Sequence, residues 1–453
     1  MAPEPLRPYE LSGVDPVLFG AASRIVETLH AAGFTAYFAG GCIRDLLLGR
    51  PVQDVDIATD AVPAEIQRLF PDHRAVGAQF GVILVKLEGI PFEVATFRAD
   101  LAYRDGRHPE GIRFSTPAED ARRRDFTVNG LFYDPRRRVI IDYVGGEADL
   151  AARCIRTIGA PDDRFSEDHL RLMRAVRFAA GLEFTIDAAT WQSLRRLAPS
   201  ILRVAPERIR EELLKGLTRR GAGTALDLLE RSGLLAAILP EASAMVGIPQ
   251  PETYHPEGDV FTHVRAMFAA ADYPLPDALA MGILLHDIAK PPTFRIRDRI
   301  RFHGHVELGV GMSRRIMERL RFSREENERV CALVASHLQF MHVQEMRPSR
   351  LKRFLRMDDF DLHLELHRLD CLGSHRLLDH HTFCREQLAA LGTAAISPPP
   401  LLSGRDLIAL GFQPGPLFKT ILDEVETLQL EDRLTTREAA LEHVRRRYLS
   451  AGL

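Results

Sequence analysis

The alternation of hydrophobic and polar residues divides the chain into a mixed head and a helical body. From residue 17 to about residue 150, short β-rich runs are interspersed with helical stretches. The run 91–97 alternates, so we expect a strand with Glu93 on the face opposite Phe92 and Val94. Beyond about residue 150, leucine- and arginine-rich helical periodicity takes over. The pattern therefore predicts an α+β fold in which a mixed head is followed by an all-helical body.

Breaks that contain proline and glycine subdivide this body. They lie at 247–258 and at 397–400. A chain of 453 residues is too long for a single hydrophobic core and corresponds to about three or four domains. We therefore predict domains at 17–150, 151–245, 246–395 and 396–453.

Two aspartates in the head, Asp54 and Asp56, are the first candidates for chemistry. Strand alternation would place both carboxylates on one face. Adjacent carboxylates repel each other unless a cation lies between them, and such oxygen ligands suit Mg²⁺ bound together with substrate phosphates. Gly40 and Gly41 lie just upstream, and glycines let backbone N–H groups approach a phosphate. The pattern indicates phosphoryl or nucleotidyl transfer; the alternative is a solvated turn that holds two aspartates.

A second pattern runs through residues 167–178, where polar and apolar residues each recur every three positions. The polar positions are Asp168, Arg171, Arg174 and Arg177, and the apolar positions are Leu170, Met173 and Val176. We expect one helix whose polar residues share a broad face while the apolar stripe packs into the protein. Stacked Asp and Arg side chains match the hydrogen-bonding edge of a base. The alternative is a solvated helix with ion pairs between residues three apart.

Histidines in the body suggest a second metal centre. His286 and Asp287 end an apolar helical run at 280–285 and could share a metal with His263 from another helix. Further candidate ligands are His305, His337 and Asp370. The alternative is a set of structural histidines. Other nearby histidines could replace the weaker candidates: His303, His342, His363, His367, His375, His380 and His381.

Composition limits the partners and the compartment. The formal net charge of −3 gives no overall basic character, so contacts with nucleic acid must come from local arginine clusters. These clusters lie at 122–124, 136–138, 171–177, 208–210 and 445–447. No apolar run approaches the roughly 18 residues of a membrane span, and residues 1–16 lack a signal-peptide core. The five cysteines form no C-x-x-C pair, which favours reduced thiols in a cytoplasm.

Five motifs, taken in order, resemble those of class II tRNA nucleotidyltransferases and bacterial poly(A) polymerases, members of the polymerase-β-like nucleotidyltransferase superfamily. The motifs lie at 40–59, 123–129, 134–146, 167–178 and 206–213. The resemblance implies template-independent addition of C, C and A to the 3′ end of tRNA, from CTP and ATP, with Mg²⁺. It also implies a polymerase-β-like head, a helical neck that binds RNA and a C-terminal tail that contacts tRNA.

The resemblance assigns roles to individual residues. Asp54 and Asp56 would hold Mg²⁺ in a two-metal scheme. Glu93 would be a third carboxylate, or else an ordinary exposed strand residue. The nucleotide-binding set would comprise Gly40, Gly41 and Arg44 at the triphosphate, with Arg124, Asp125, Asn129, Arg174 and Arg177 around the nucleotide. Asp168 and Arg171 would act as a protein template that selects CTP or ATP.

Two segments bear on which member of the family the chain resembles. The run 97–109 resembles the flexible loop with which CCA-adding enzymes change from C to A addition. The segment 75–81 resembles the tRNA-enzyme form of a segment that is more basic in bacterial poly(A) polymerases. Both favour CCA addition over polyadenylation by a poly(A) polymerase. An A-adding tRNA nucleotidyltransferase that works beside a CC-adding partner is the other alternative.

The order His263, His286, Asp287 and Lys290 resembles the HD phosphohydrolase superfamily, and the later candidates continue the spacing of HD enzymes that carry two metals. This implies a second divalent metal of unknown identity and hydrolysis of terminal or 2′,3′-cyclic phosphates on RNA. One alternative is a structural domain without turnover. Another is a protein of a different class, a metal-dependent phosphohydrolase whose head only binds RNA. The segment 402–416 resembles the tail of HD-containing CCA enzymes, and 445–447 is either a tRNA contact or a solvated turn.

Overall fold

The computed structural model describes residues 6–11, 13–75, 81–100 and 112–449. Most of the predicted nucleotide-switching loop at 97–109 and of the segment 75–81 lies outside these residues. The chain forms two compact units: one extends to Ala244 and includes 273–275 and 318–322, and the other begins at Met245. The four-domain division stays a prediction. No helix in the described ranges is long and apolar enough to cross a membrane.

The first unit contains the head and the helices that follow it. Its strands are β1 (Leu6–Pro8), β2 (Ala36–Ala39), β3 (Asp56–Thr59), β4 (His73–Arg74), β5 (Val82–Leu87), β6 (Ile90–Thr96), β7 (Arg98–Asp100), β8 (Ile112–Phe114), β9 (Leu131–Asp134), β10 (Val139–Asp142), β11 (Cys154–Ile155) and β12 (Thr185–Ile186). Its helices are α1 (Pro16–Ala31), α2 (Gly41–Leu47), α3 (Pro63–Leu69), α4 (Pro117–Arg123), α5 (Gly146–Ala151), α6 (Pro161–Glu167), α7 (Arg171–Leu182), α8 (Ala188–Leu197), α9 (Pro206–Leu217), α10 (Ala222–Ser232), α11 (Leu234–Ile238) and α12 (Pro240–Ser243).

Eight of the described strands form one sheet in the order β1-β10-β9-β2-β3-β6-β5-β4. Its centre is the antiparallel pair β2 and β3 followed by the parallel pair β3 and β6, in which Ile57 faces Val94. Phe38, Ile57 and Val94 are buried, and α1 packs beside this centre. The expected strand at 91–97 is present as β6, and the α+β fold class is confirmed.

The second unit is almost entirely helical. Helices that begin in it are α13 (Val260–Ala270), α14 (Asp277–Leu285), α15 (Lys290–Thr293), α16 (His305–Arg319), α17 (Arg324–Ser336), α18 (Pro348–Leu355), α19 (Phe360–Gly373), α20 (Asp379–Ile396), α21 (Gly404–Ala409), α22 (Pro416–Leu430) and α23 (Arg437–Val444). The expectation of an all-helical body is wrong in detail, because β11 pairs with β12 and β13 (Arg295–Ile296) pairs with β14 (Ile300–Arg301). Strands of two residues are too short to leave an alternating pattern in a sequence.

Two features of this unit bring candidate ligands together. Helix α14 is buried from Leu279 to Leu285, so its carboxyl end delivers the next residue, His286, into the interior. Helices α13 and α19 cross closely at Gly373, where an added Cβ would lie 2.8 Å from the Met267 Cγ atom. This close crossing places residues of α13 and α19 within reach of one another.

Candidate active sites

The predicted carboxylate site lies at the start of β3. Val55 and Ile57 are buried while Asp54 and Asp56 are exposed, so both aspartates share one face as expected. The strand itself begins at Asp56, and Asp54 lies in the connection before it. Strands β3 and β6 are parallel, and Ile57 lies opposite Val94. Asp56 comes just before Ile57 and Glu93 just before Val94, so the two acids are neighbours in the sheet. Although part of its surface is open, the protein atoms around Asp56 remove much of its hydration, and this desolvation, with Glu93 and Asp54 close by, raises its pKa to about 6.

The pKa of Asp56 predicts how pH affects the metal-free protein. A folded-state pKa of about 6 lies above the ordinary value of 3.8, so ionised Asp56 destabilises the fold as pH rises through that interval. In the presence of a chelator, D56N is expected to unfold at a higher temperature than the parent at pH 8. The difference should vanish near pH 4, where both carry a neutral side chain. D72N, at an exposed aspartate of the head, is the control; equal or lower stability of D56N at pH 8 would contradict this prediction.

The turn into α2 places an arginine beside these acids. Gly40 has φ 74°, and an added Cβ would lie 2.7 Å from the Arg124 Nη1 atom, so only glycine fits there. The Arg44 Nη1 atom donates to the Asn129 Oδ1 atom at 2.7 Å, and the guanidinium lies over the Phe178 ring, 5.1 Å from its centroid. The cation is therefore held in place before any substrate binds.

Asp125 is fixed by charge and hydrogen bonds. Its Oδ1 atom accepts from Asn129 at 3.0 Å, and its Oδ2 atom pairs with Arg174 at 2.6 Å. Burial alone would raise the pKa of Asp125, but Arg174, Asn129 and Arg171 together outweigh burial and lower the pKa to about 2. Asp125 is therefore ionised at neutral pH and links the α4 region to α7.

The structure corrects the expected helix at 167–178. Asp168 has an extended backbone between α6 and α7, and α7 begins only at Arg171. The apolar stripe is buried as expected. Asp168 instead pairs with Arg208 of α9, whose Nη2 atom donates to its Oδ2 atom at 2.9 Å. A spacing of three residues suits a helix wherever the helix begins, so it could not reveal the turn at Asp168.

The remaining arginines of this motif have different surroundings. Arg171 donates to Glu167 at 2.6 Å and to the Arg123 carbonyl oxygen at 3.1 Å. Arg177 donates to buried Glu212 at 2.6 Å. The side chain of Arg177 is thus used to hold α9 against α7, and its predicted contact with nucleotide stays a prediction.

A cleft of about 620 Å³ gathers most of the predicted site. The predicted residues that line it are Gly40, Gly41, Arg44, Asp54, Asp56, Arg124, Asp125, Asn129, Asp168, Arg171 and Arg174. Residues that sequence reasoning did not place in the site also line it: Arg123, Leu170, Phe178 and Arg208. Glu93 and Arg177 are not among the described residues of its wall. Arg208 belongs to the recognised motif at 206–213, which was the available signal for it.

The second predicted site is a compact cluster in the second unit. Ligand atoms of His263, His286 and Asp370 lie within 4.8 Å of one another, and so do those of Asp287, His305 and His337. The Asp287 Oδ2 atom lies 3.1 Å from His286 Nε2, while its Oδ1 atom lies 3.6 Å from His305 Nε2 and 3.8 Å from His337 Nε2. Asp287 thus stands between the two groups, and all six predicted ligands come together.

The histidines of the cluster are oriented as metal ligands. The Nδ1 atoms of His286, His305 and His337 donate to backbone carbonyl oxygens three residues earlier, at 3.0, 2.8 and 2.7 Å. Among the described groups, their buried Nε2 atoms have no hydrogen-bond partner. Burial, with His286 nearby, lowers the pKa of His337 to about 4, so this ring is neutral at pH 7. Unpaired buried nitrogens facing carboxylates fit a divalent cation.

Three family profiles match successive parts of the chain. The poly A polymerase head domain matches residues 36–156, the probable RNA and SrmB-binding site of polymerase A matches 183–245, and the HD domain matches 260–362. The order is the one expected from the motifs. The family resemblance predicted from the sequence is therefore confirmed.

Similar proteins include curated relatives and solved structures. A CCA-adding enzyme of Geobacillus kaustophilus (strain HTA426) is 44% identical over 229 residues, which are 50% of this chain and 56% of that protein. One from Lactiplantibacillus plantarum is 44% identical over 205 residues, 44% of this chain and 50% of that protein. The chain thus spans about half the length of the curated relatives it matches.

Among solved structures, the Bacillus stearothermophilus CCA-adding enzyme in complex with CTP matches with a TM-score of 0.75 and 27% identity, over 95% of this chain and 99% of that one. The Thermotoga maritima CCA-adding enzyme complexed with tRNA has a TM-score of 0.61 and 18% identity, over 98% of this chain and 99% of that one, and shares the fold.

Proposed function

We propose that this chain, a member of the poly A polymerase head-domain family, adds C, C and A to the 3′ end of tRNA by Mg²⁺-dependent nucleotidyl transfer. The observation that carries the proposal is one cleft lined by Asp54 and Asp56 and also by Asp168 and Arg171. Acids suited to phosphoryl chemistry thus share a cavity with a carboxylate and a guanidinium suited to the edge of a base. The names of the similar proteins agree with this activity.

Different residues of the cleft would bind the triphosphate and the base of the nucleotide. Arg44 offers a fixed cation to the triphosphate beside the amino end of α2. Asp168 accepts and Arg171 donates hydrogen bonds, a combination that can match the base edge of CTP or ATP. Both are held by protein partners, Asp168 by Arg208 and Arg171 by Glu167, so the selecting groups are preorganised.

Three acids would hold the metal of this site: Asp54 and Asp56, with Glu93 alongside. Desolvation, and then the charges of Glu93 and Asp54, raise the pKa of Asp56, and a cation bound here would offset both unfavourable effects on the ionised carboxylate. Bound Mg²⁺ would supply charge neutralisation at the triphosphate and a more acidic 3′-hydroxyl on the RNA. The protein's own part is to align the triphosphate with the end of the RNA.

The RNA partner and the compartment are further parts of the proposal. We assign tRNA binding to the helical neck at 151–245 and to the tail at 396–453, with phosphate contacts from their arginines. We place the protein in the cytoplasm on the basis of its five cysteines, which are not joined in disulfides.

Nucleotide selection by Asp168 should depend on Arg208. R208A removes a charge-assisted contact to Asp168, worth about 1.5–3 kcal/mol, and so frees the carboxylate to rotate. We expect kcat/KM for CTP relative to UTP to fall about tenfold or more. The control is R203A, at an exposed arginine outside the cleft lining. Unchanged nucleotide preference in R208A would contradict the role given to this pair.

The main competing function is a poly(A) polymerase or an A-adding tRNA enzyme. A tRNA transcript that lacks its 3′ CCA, given CTP, ATP and Mg²⁺, should become three nucleotides longer. An unstructured RNA of the same length should stay unextended. A ladder of added A residues on either RNA would favour the poly(A) alternative.

We further propose that the histidine cluster is a metal-dependent phosphohydrolase acting on RNA 3′-terminal or 2′,3′-cyclic phosphates. His263, His286 and Asp370 would hold one cation, and Asp287, His305 and His337 would hold a second. Lys290, whose Nζ atom lies 2.7 Å from the Asp287 Oδ2 atom, supplies positive charge beside the cluster. The acids of the head are intact, so a phosphohydrolase with a merely RNA-binding head is the weaker reading.

A further inference from the structure

The loop at 247–258 is part of the histidine centre. Its proline and glycine content predicted only a domain boundary, and the HD-domain match begins after it, at residue 260. The loop nevertheless turns three polar side chains inward: Gln250, His255 and Glu257. The Gln250 Oε1 atom accepts from Lys290 at 2.6 Å, and Lys290 in turn contacts Asp287. The loop therefore reaches the ligands on one side of the cluster through Lys290.

Glu257 reaches the other side of the cluster directly. Its Oε1 atom accepts from the Nδ1 atoms of His263, at 2.8 Å, and of His255, at 2.9 Å. The side chain is 13% exposed, and its Oε2 atom is buried without a hydrogen-bond partner among the described groups. The His255 and His263 rings meet edge to face with centroids 5.0 Å apart. Glu257 thus holds the His263 ring through its Nδ1 atom, and the opposite ring nitrogen, Nε2, lies 3.0 Å from the Asp370 Oδ1 atom.

This arrangement distinguishes His263 from the other ligands. His286, His305 and His337 donate their Nδ1–H groups to neutral carbonyl oxygens, whereas His263 donates to a carboxylate. A carboxylate behind a histidine fixes its tautomer and ring orientation and makes the opposite nitrogen a stronger donor to a metal. Loss of such a partner typically weakens metal binding by about 10–100-fold.

We infer that Glu257 is a positioning residue for the metal centre of the second unit: it holds His263 in the orientation and tautomer that bind a cation, and His255 steadies Glu257. This inference rests on the proposed metal site at His263, His286 and Asp370. It adds to that site a carboxylate supplied by a loop outside the HD-domain match.

Co²⁺ binding tests the inference, because the d–d absorption of Co²⁺ reports both affinity and ligand geometry. The full-length chain would carry D54N, D56N and E93Q throughout, so that the three acids proposed to hold metal in the head are neutralised. In this background E257Q is expected to bind Co²⁺ about tenfold more weakly, and E257A up to about 100-fold, with unchanged stoichiometry and a shifted spectrum. E257D should recover part of the affinity. E252Q, at an exposed glutamate of the same loop, is the matched control and should behave as the parent.

Three results would overturn the positioning role. One is unchanged affinity and spectrum in E257A. Another is the loss of one whole equivalent of Co²⁺, which would make Glu257 a direct ligand of a separate ion. The third is an equal effect of E252Q, which would indicate a general disturbance of the loop.

H286A separates this failure from failure of the metal site itself. If H286A loses Co²⁺ from the group of His263, His286 and Asp370 while E257A binds it as the parent does, only the role of Glu257 is wrong. If the parent and H286A bind Co²⁺ alike, both the proposed metal site and the inference fail. Thermal unfolding of each metal-free variant confirms that the chain is folded.

Discussion

Replacing Asp56 with alanine is expected to abolish nucleotide addition, by about 10³-fold or more. The side chain is one of three acids near the start of β3, and desolvation, with Glu93 and Asp54 close by, raises its pKa. Loss of this acid removes a metal ligand, and metal stabilisation of transition-state charge is worth several kcal/mol, with tenfold in rate for each 1.36 kcal/mol. Asp54→Ala should behave in the same way.

The measurement is the rate of CTP incorporation into a tRNA transcript at saturating Mg²⁺. D72A, at an exposed aspartate elsewhere in the head, should retain the parent rate. Hydrolysis of 2′,3′-cyclic phosphate by the same D56A preparation should also be retained, because those metal ligands lie in the other compact unit. A D56A rate within tenfold of the parent would contradict the assignment, and loss of both activities would point to misfolding.

Replacing His286 with alanine is expected to have the reverse effect. This residue ends the buried helix α14, and its Nε2 atom has no hydrogen-bond partner among the described groups. Its removal deletes one proposed ligand of the group His263, His286 and Asp370. It also removes a contact of Asp287, which belongs to the other group. We expect hydrolysis of RNA 2′,3′-cyclic phosphate to fall at least about 100-fold, because a ligand loss should cost at least as much as the loss of an outer partner.

The control for this prediction is H303A, at an exposed histidine near the cluster in sequence. It should keep the hydrolytic rate, and both variants should keep the parent rate of nucleotide addition. Metal content after dialysis gives a second readout, in which H286A loses cation and H303A does not. Hydrolysis at the parent rate by metal-depleted H286A would contradict a catalytic metal centre.

Patterns over a few residues predicted those features that depend only on one strand or one helix. Alternation predicted that Asp54 and Asp56 share one exposed face, which they do, although β3 begins only at Asp56 and Asp54 lies just before it. His286 follows the apolar helix α14 as predicted. The six ligands of the histidine cluster come together as their order suggested. The apolar stripe of α7 is buried for the same reason, because its spacing matches the helix.

Other features depend on contacts between distant segments, which no local pattern records. Asp168 lies outside α7 with an extended backbone, and its carboxylate accepts from Arg208, 40 residues later in the chain. Arg177 donates to buried Glu212 of α9, 35 residues later in the chain, a contact that its spacing in the motif did not indicate. Glu257 lies in a segment whose composition indicated only a boundary, and its role became visible only from the position of His263.

Nucleotide-by-nucleotide extension tests the central claim most directly. Three tRNA transcripts that end before C74, before C75 and before A76 (standard tRNA positions) would each be given CTP, ATP or both, and product lengths read on a gel. We predict that CTP alone adds two, one and no nucleotides respectively, that ATP alone extends only the third transcript, and that both together complete CCA on all three. Absence of C incorporation, or A tails longer than one residue, would contradict the account.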